Sequence, residues 1–396
     1  MLFRSLKVVV SKSHKISFQV SKWFSAAIVA LLFLYFLSCD DNGVEPRDIP
    51  LPPLPDDAAI FVSMDDADGL GMLILNANTL EPIDSMYTTP GFPFSIEFSP
   101  DYNTWYSSWG RNANYCLYSG SIHPIEILNS IPLIYAKGYL AQSPDRGYIV
   151  AYGYKGIDVF ERETLNLLYQ DTTITDTFAG ITFSKKQNNI YYVWTEKGEI
   201  VGIGVFNIEL KKTIDTLRLF NRIKYPDIAS SDIVVSNDDK YLFFSAWNWR
   251  GLGGYGSFFV IDLIERRIIK EYPAGAFSQL GISPDGINVY MGDPGGYLYI
   301  LPSLKKVWRY DIKNKTMNIF FDSFGGTDQF ASADDNRTIF ISAWGQFKTP
   351  DGIDASIVKV DALTKKIIGS YTIPKDSLGN YSRLIRNIKF GKYSIN

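Results

Sequence analysis

The segments IEFSPDYNTWYSSW (96–109) and LAQSPDRGYIVAYG (140–153) decide the fold, because the same pattern returns four more times. ITFSKKQNNIYYVW (181–194), IVVSNDDKYLFFSAW (233–247), LGISPDGINVYMGD (280–293) and FASADDNRTIFISAW (330–344) complete the set. Each copy reads as a short apolar strand, a turn written in Ser, Pro, Asp, Asn and Gly, and a second strand rich in β-branched and aromatic residues. A serine recurs at Ser99, Ser143, Ser184, Ser236, Ser283 and Ser332, at intervals of 44, 41, 52, 47 and 49. A self-similar period of this length marks a repeat architecture.

A second half-repeat follows most copies: GIDVFERETLNLL (156–168), GIGVFNIELKKTIDTL (202–217), SFFVIDLIERRIIKEY (257–272), KVWRYDIKNKTMNIFF (306–321) and SIVKVDALTKKIIGSY (356–371). An apolar strand ending near Asp or Asn, a polar turn and another strand bring each unit to four strands, which is one propeller blade. AAIFVSMD (58–65) and GMLILNANTLEPIDSM (71–86) read as the outer three strands of a further blade, and RNIKFGKYS (386–394) as its innermost strand. Joining the two ends closes a ring without free edges. The expectation is an all-β propeller of seven four-stranded blades over 58–396, with six or eight blades as the alternatives.

The SPD turns, each followed by an aromatic strand and then by V-x-D-x-x-T/K-x-K-I-I, resemble YVTN-type propeller repeats of bacterial secreted proteins. The resemblance covers 58–396. It implies the fold and leaves activity open, since propellers host enzymes, binders and scaffolds.

Composition narrows the class. The chain has 396 residues, 46% apolar and 15% aromatic, with only 20% charged, a balance suited to half-buried strands. Its formal charge is −3, yet residues 1–38 carry Arg4, Lys7, Lys12, Lys15 and Lys22 and no acid, so losing those five cations leaves about −8. A chain this acidic lacks the cationic surface that neutralises phosphates, and nucleic acid is not an expected partner. Two cysteines, Cys39 and Cys116, and two histidines, His14 and His123, are too few for a CxxC zinc site, a disulfide framework or a multi-histidine centre, so neither metal nor cofactor is expected. Asp65-Asp66-Ala67-Asp68-Gly69 fails as an EF-type calcium loop, with Met64 and Leu75 where ligands belong, and reads as an acidic turn.

Residues 1–22 are basic and polar, Trp23–Leu37 form an apolar run of about 15 residues, and Ser38-Cys39 precede an acidic stretch. This is the order of a secretory signal, and the run is shorter than a spanning helix needs; a signal-anchor helix is the alternative. FLSC (36–39) resembles the lipobox of bacterial lipoproteins, although Phe36 and Leu37 depart from its usual spelling. The resemblance implies a signal peptide over 1–38, lipidation at Cys39, and a Pro-rich acidic tether over 39–57. A monomeric domain in the cell envelope, membrane-anchored and facing the periplasm or the outer surface, is expected.

Second-to-third-strand connections and blade-to-blade connections emerge on one face of a propeller, and binding residues are expected there. Near the ends of the second strands stand Trp109, Tyr152, Trp194, Trp247 and Trp344, with Met64 and Asp293 in the other two blades. They read either as an aromatic ring for stacking on sugars or extended peptide, or as wedges filling the gaps between blades. Longer connections at 248–256 and 345–354 add Trp249, Arg250, Tyr255 and Phe347, and Arg111 completes the ligand-binding candidates. Channel candidates before the innermost strands are Lys137, Asp176, Asp232, Gln279, Asp328 and Arg386, holding either a polar ligand or water.

Catalytic residues are not assigned. The YVTN resemblance extends toward lactone-hydrolysing propellers with acidic, Arg and His groups at the channel mouth, but past residue 38 this chain has only His123 and no G-x-S-x-G elbow. The expected function is non-catalytic binding of a glycan, peptide or partner protein through the loop face. The alternatives are an envelope scaffold or a carboxylate-dependent hydrolase using Asp176, Asp232 or Asp328.

Overall fold

A computed structural model describes residues 51–65, 70–87, 92–111, 114–145, 147–172, 180–196, 199–223, 228–248, 255–273, 279–292, 306–321, 326–349, 352–374 and 384–394. All belong to one compact unit, Leu51–Asn396. Its strands form seven four-stranded antiparallel sheets. Blade 1 holds β1 (Ala58–Asp65), β2 (Leu70–Asn76) and β3 (Pro82–Tyr87), and its innermost strand is β28 (Leu384–Lys392). Blade 2 is β4 (Phe92–Phe98), β5 (Thr104–Arg111), β6 (Asn114–Ser121) and β7 (Glu126–Leu133). Blade 3 is β8 (Tyr139–Gln142), β9 (Tyr148–Gly153), β10 (Gly156–Glu161) and β11 (Leu167–Asp171). Blade 4 is β12 (Ile181–Phe183), β13 (Asn189–Glu196), β14 (Glu199–Asn207) and β15 (Lys212–Ile223). Blade 5 is β16 (Ile228–Val235), β17 (Tyr241–Asn248), β18 (Tyr255–Asp262) and β19 (Arg267–Pro273). Blade 6 is β20 (Leu280–Ile282), β21 (Asn288–Gly292), β22 (Val307–Asp311) and β23 (Thr316–Phe321). Blade 7 is β24 (Gly326–Ser332), β25 (Thr338–Thr349), β26 (Gly352–Asp361) and β27 (Lys366–Thr372).

The innermost strands touch in the order β28, β4, β8, β12, β16, β20, β24 and back to β28, so the ring is closed at seven. Closure rests on β1 pairing with β28 from Ala58↔Lys392 to Asp65↔Leu384. Both faces of every sheet meet a neighbouring blade, which explains why β9 and β17 read as nearly continuous apolar runs rather than alternating ones. Phe61, Ile74, Ile96 and Trp105 fill the gap between blades 1 and 2. Val150, Tyr152, Ile190 and Phe206 are among those filling the gap between blades 3 and 4. Each fully buried side chain of this size contributes roughly 1.5–3 kcal/mol.

The repeating serine is a turn clamp. Ser99 Oγ donates to Asp101 Oδ1 at 2.6 Å and accepts Thr104 N–H at 2.9 Å, while Asp101 accepts Asn103 N–H at 3.2 Å. Ser143 with Asp145, Ser236 with Asp238 and Ser283 with Asp285 repeat the arrangement. Blade 4 has Lys186 where the acid belongs and borrows Asp239 from the blade 5 turn. That carboxylate accepts Ser184 Oγ–H at 2.7 Å, Lys185 N–H at 2.7 Å and Lys186 N–H at 2.9 Å.

Blade 7 corrects the expected register. Ala333, not Ser332, occupies the turn position: Ala333 N–H donates to Thr338 O as Ser99 N–H does to Thr104 O. Ser332 lies one residue earlier, with a buried, unpaired hydroxyl. Asp335 replaces the missing clamp by accepting Thr338 N–H at 2.8 Å and Thr338 Oγ1–H at 2.7 Å. The expected connection at 345–354 is also largely hairpin, since β25 and β26 pair again at Lys348↔Ile353 and Thr349↔Gly352.

Candidate functional site

The loop face carries the second-to-third-strand and blade-to-blade connections, and in blade 3 both the incoming connection and the hairpin tip are described. Residues 134–138, leading into blade 3, cross the tip of the β9–β10 hairpin, and Tyr154 N–H donates to Ala136 O at 2.8 Å. The tip turns through Lys155 at φ 53° and Gly156 at φ 105°. A Cβ on Gly156 would stand 1.6 Å from Asp171 O, so only glycine fits.

Beneath the tip lies Lys137, 1% exposed, whose ammonium donates to Gly156 O at 2.9 Å and Lys155 O at 3.3 Å. It stands 3.6 Å from Asp158 Oδ1, which also accepts Gln170 Nε2–H at 3.0 Å. Burial pushes the Lys137 pKa down against the pull of Asp158, and pushes Asp158 up against the pull of Lys137. Lys137 is thus a buried pin of the hairpin rather than a channel group. Above it, the Tyr135 and Tyr154 rings meet edge to face at 6.0 Å, with the Lys155 ammonium 4.9 Å and 5.6 Å from their centres. Tyr154 is 39% and Ile134 66% exposed, so aromatic surface, an aliphatic side chain and a cation reach solvent together. This combination suits a ring-shaped polar ligand, stacked on tyrosine and held by an ammonium.

The innermost strands wall the central channel. One residue to the loop-face side of the apolar Ile96, Leu140, Ile181, Ile233, Leu280, Phe330 and Phe390 stand Ser95, Tyr139, Gly180, Asp232, Gln279, Gln329 and Lys389. Asp232 and Gln279 are therefore at one level. Asp232 accepts Ile233 N–H and the next blade's Leu280 N–H, both at 2.8 Å. Enclosure pushes its carboxyl up to about 6, opposed by those two N–H groups and by Lys389. Lys389 pairs with Glu97 at 3.1 Å. Crowding by the protein, and then the like charge of Lys389, lower the pKa of Lys185 at the inner end of blade 4.

The aromatic candidates do not share one repeat position. Trp109 and Trp194 pair with Cys116 and Gly202. Trp247 and Trp344 lie one residue further along, opposite Gly256 and Ala355, one step past Ser257 and Ser356. Tyr152 is a residue earlier, opposite Ile157. Tyr152 is also fully buried, its hydroxyl donating to Val193 O at 3.0 Å and its ring 5.9 Å from Tyr192, so it wedges blade 3 against blade 4. Met64 is buried likewise. Trp194 is half-buried beneath the Arg218 guanidinium, 5.0 Å from its ring centre. For Arg111, Tyr255, Phe347, Asp328 and Arg386, as for Trp109, Trp247 and Trp344, only the strand position is described: β5, β18, β25, β24, β28 and, for the tryptophans, β5, β17 and β25. Cys39, Asp176, Trp249, Arg250 and Asp293 lie outside the described residues.

His123 is exposed on the third-to-fourth-strand turn of blade 2, the opposite face, with its ring 4.5 Å from Tyr393. Sequence reading missed Tyr135, Tyr154 and Lys155, whose only mark is the YKG tip after an aromatic strand. It also missed Glu97 and Lys389, which resemble ordinary alternating strand residues.

No family model and no curated protein sequence matches the chain. Solved structures similar to it include a functionally unknown protein from Desulfotomaculum acetoxidans, with TM-score 0.57 and 11% identity over 83% of this chain and 99% of that one. The dihydro-heme d1 dehydrogenase NirN is similar at TM-score 0.52 and 13% identity, covering 84% and 76%. The Cps50 (Swd1) β-propeller domain of Myceliophteria thermophila is similar at TM-score 0.52 and 11% identity, covering 72% and 87%. Likeness at these identities extends to the fold, and the fold they share with this chain is the β-propeller.

Proposed function

We propose that this propeller is a non-catalytic binding protein of the cell envelope, held at a membrane by lipid on Cys39, that takes a glycan, peptide or partner protein on its loop face. The observation supporting this reading is the Tyr135–Tyr154–Lys155 patch over the buried Lys137–Asp158 pair. Lys137 donates to Lys155 O and Gly156 O, and Tyr154 N–H donates to Ala136 O, so the hairpin tip presenting the patch is tied to residues 134–138. A pre-set aromatic surface loses little entropy on binding. A carboxylate-dependent hydrolase is the second reading, favoured by the raised pKa of Asp232, although both of its oxygens already accept backbone N–H groups.

The test is a glycan and peptide array probed with residues 51–396 and with a Tyr135→Ala/Tyr154→Ala variant of unchanged unfolding midpoint. Binding by the parent that disappears in the variant supports the reading. Equal binding by both, or none by the parent, moves the ligand site elsewhere.

A further inference from the structure

The face opposite the loops carries the first-to-second-strand turns near the axis and the third-to-fourth-strand turns at the rim. Six of the seven rim turns, all but that of blade 2, share one backbone device, a non-glycine residue at positive φ, but fill it in two ways. In blades 1 and 3 the residue is Leu80 at φ 62° or Leu165 at φ 56°, and both leucines are buried. In blades 4 to 7 it is Lys211, Arg266, Lys315 or Lys365, at φ 51° to 57°, and all four are exposed.

A second cation, likewise exposed, stands close by in each: Lys212, Arg267, Lys313 and Lys366. Beside them in blades 4, 5 and 7 are large apolar side chains at the tips, Leu210 at 59%, Ile264 at 72% and Leu363 at 51% exposure. The corresponding turns of blades 1 to 3 carry Glu81, Glu126 and Glu163, and the one cation among them, Arg162 of blade 3, is paired with Glu163 at 3.4 Å. Cationic turns therefore run as a continuous arc over four consecutive blades, three of them with apolar tips, in a chain of net negative charge.

We propose that this arc rests on a membrane surface containing anionic lipid, with the lysine groups of blades 4, 6 and 7 on headgroup phosphates and the three apolar tips at the acyl boundary. Charge complementarity selects an anionic partner. The apolar tips select a lipid surface over a soluble polyanion, which offers them nothing to bury. Residues 51–57 join the propeller on this same face: Leu54 N–H donates to Asn78 Oδ1 at 2.9 Å and Asn78 Nδ2–H to Leu54 O at 3.0 Å, at the blade 1 rim turn. Lys359, in blade 7, also donates to Asn78 O at 3.1 Å, placing that junction next to the end of the arc.

Acids oppose the contact. Glu209 lies in the arc itself, Glu265 accepts Arg267 Nε–H at 2.7 Å, and Asp215 pairs with Arg266 through two hydrogen bonds, so the lysines of blades 4, 6 and 7 are the cations left to meet phosphate. Asp101, Asp145, Asp238 and Asp285 occupy the turns near the axis, turned toward their own Ser O–H and backbone N–H groups. The arrangement favours docking on the rim of blades 4 to 7 rather than flat on the whole face, and it leaves the loop face pointing away from the lipid.

The test uses residues 51–396, within which the ring closes, and so is independent of lipid on Cys39. Cosedimentation is measured with vesicles of phosphatidylcholine alone and of phosphatidylcholine with phosphatidylglycerol. Expected are binding to the anionic vesicles only, weakening with salt, and a roughly fivefold loss per cation reversed, so at least a hundredfold loss in Lys211→Glu/Lys212→Glu/Lys365→Glu/Lys366→Glu. Leu210→Ser/Ile264→Ser/Leu363→Ser should lower binding about tenfold and leave the salt dependence in place. Unfolding midpoints equal to the parent's show that these surface variants fold. Absent binding, equal binding to both vesicles, or full binding by the charge-reversed variant overturns the proposal. So does tight capture by soluble dextran sulfate with no loss in the apolar-tip variant. Fractionation of full-length Cys39→Ser separately tests the anchor.

Discussion

Asp239 offers the sharpest test of how blades are joined, because a single carboxylate completes the turn of its neighbour. Asp239→Ala removes the acceptor for Ser184 Oγ–H, Lys185 N–H and Lys186 N–H. The site borders solvent and water will satisfy part of the loss, so about 1 kcal/mol per hydrogen bond is appropriate rather than the larger cost of fully buried donors. Asp239 also holds φ 58°, which alanine tolerates less well than aspartate, adding about 1 kcal/mol. The sum is about 3–4 kcal/mol, read as a lower urea midpoint at unchanged slope. Asp239→Asn keeps one acceptor oxygen and the tolerance for positive φ, and should lose about a third of that. Lys186→Asp placed in the Asp239→Ala background returns an acid to blade 4 at the position used by Asp101, Asp145 and Asp285, and should recover about half of the loss. An Asp239→Ala protein within about 0.5 kcal/mol of the parent, or a double variant no more stable than the single one, would refute the borrowed-acid account.

Two further outcomes follow from buried charge. Asp232 titrates near 6 in the folded ring against 3.8 when free, so the folded state holds its proton more tightly; the stabilisation is complete below about pH 3.8 and is lost as pH rises through 6. About 3 kcal/mol should be at stake, and the advantage of Asp232→Asn over the parent should grow between pH 4.5 and pH 8 in urea unfolding; a difference independent of pH would contradict the assignment. Lys137→Met should destabilise by about 3–5 kcal/mol by stranding Asp158, and Lys137→Met/Asp158→Leu should recover most of it, whereas a double variant as weak as the single one would count against a coupled pair.

The ring was legible because its strongest local requirement is written in residue type. In blades 2, 3, 5 and 6 the first turn is closed by a serine hydroxyl that donates to an aspartate and accepts an amide, so Ser99, Ser143, Ser236 and Ser283 mark it directly. Blade 7 misled because Ala333 stands where the serine belongs and Asp335, in the usual acid position, clamps Thr338 instead, leaving Ser332 to mimic a repeat it does not serve. The site was less legible. Tyr152 and Trp194 look equivalent in an alignment, yet a one-residue change of level reverses which side of a strand a position serves. Tyr152 shows the limit of aromatic content as a guide, since a ring filling an interblade gap and a ring offered to a ligand are spelled alike. Lys137 reads as a channel group because a lysine before an inner strand gives no sign that the backbone will fold over it. Lys211, Arg266, Lys315 and Lys365 read as turn filler until the backbone gathers them along one rim.

The pairing of β28 with β1 also bears on the order of assembly during synthesis. Six sheets are complete in the polypeptide before residue 384 is made, while the first sheet waits as three strands with an open inner edge and β24 lacks its neighbour across the seam. The final strand thus acts as a bolt that shuts after everything else is in place. Until then, two chains that meet can exchange that strand and emerge as an interlocked pair, so the yield of closed monomer depends on how dilute the half-made rings are kept.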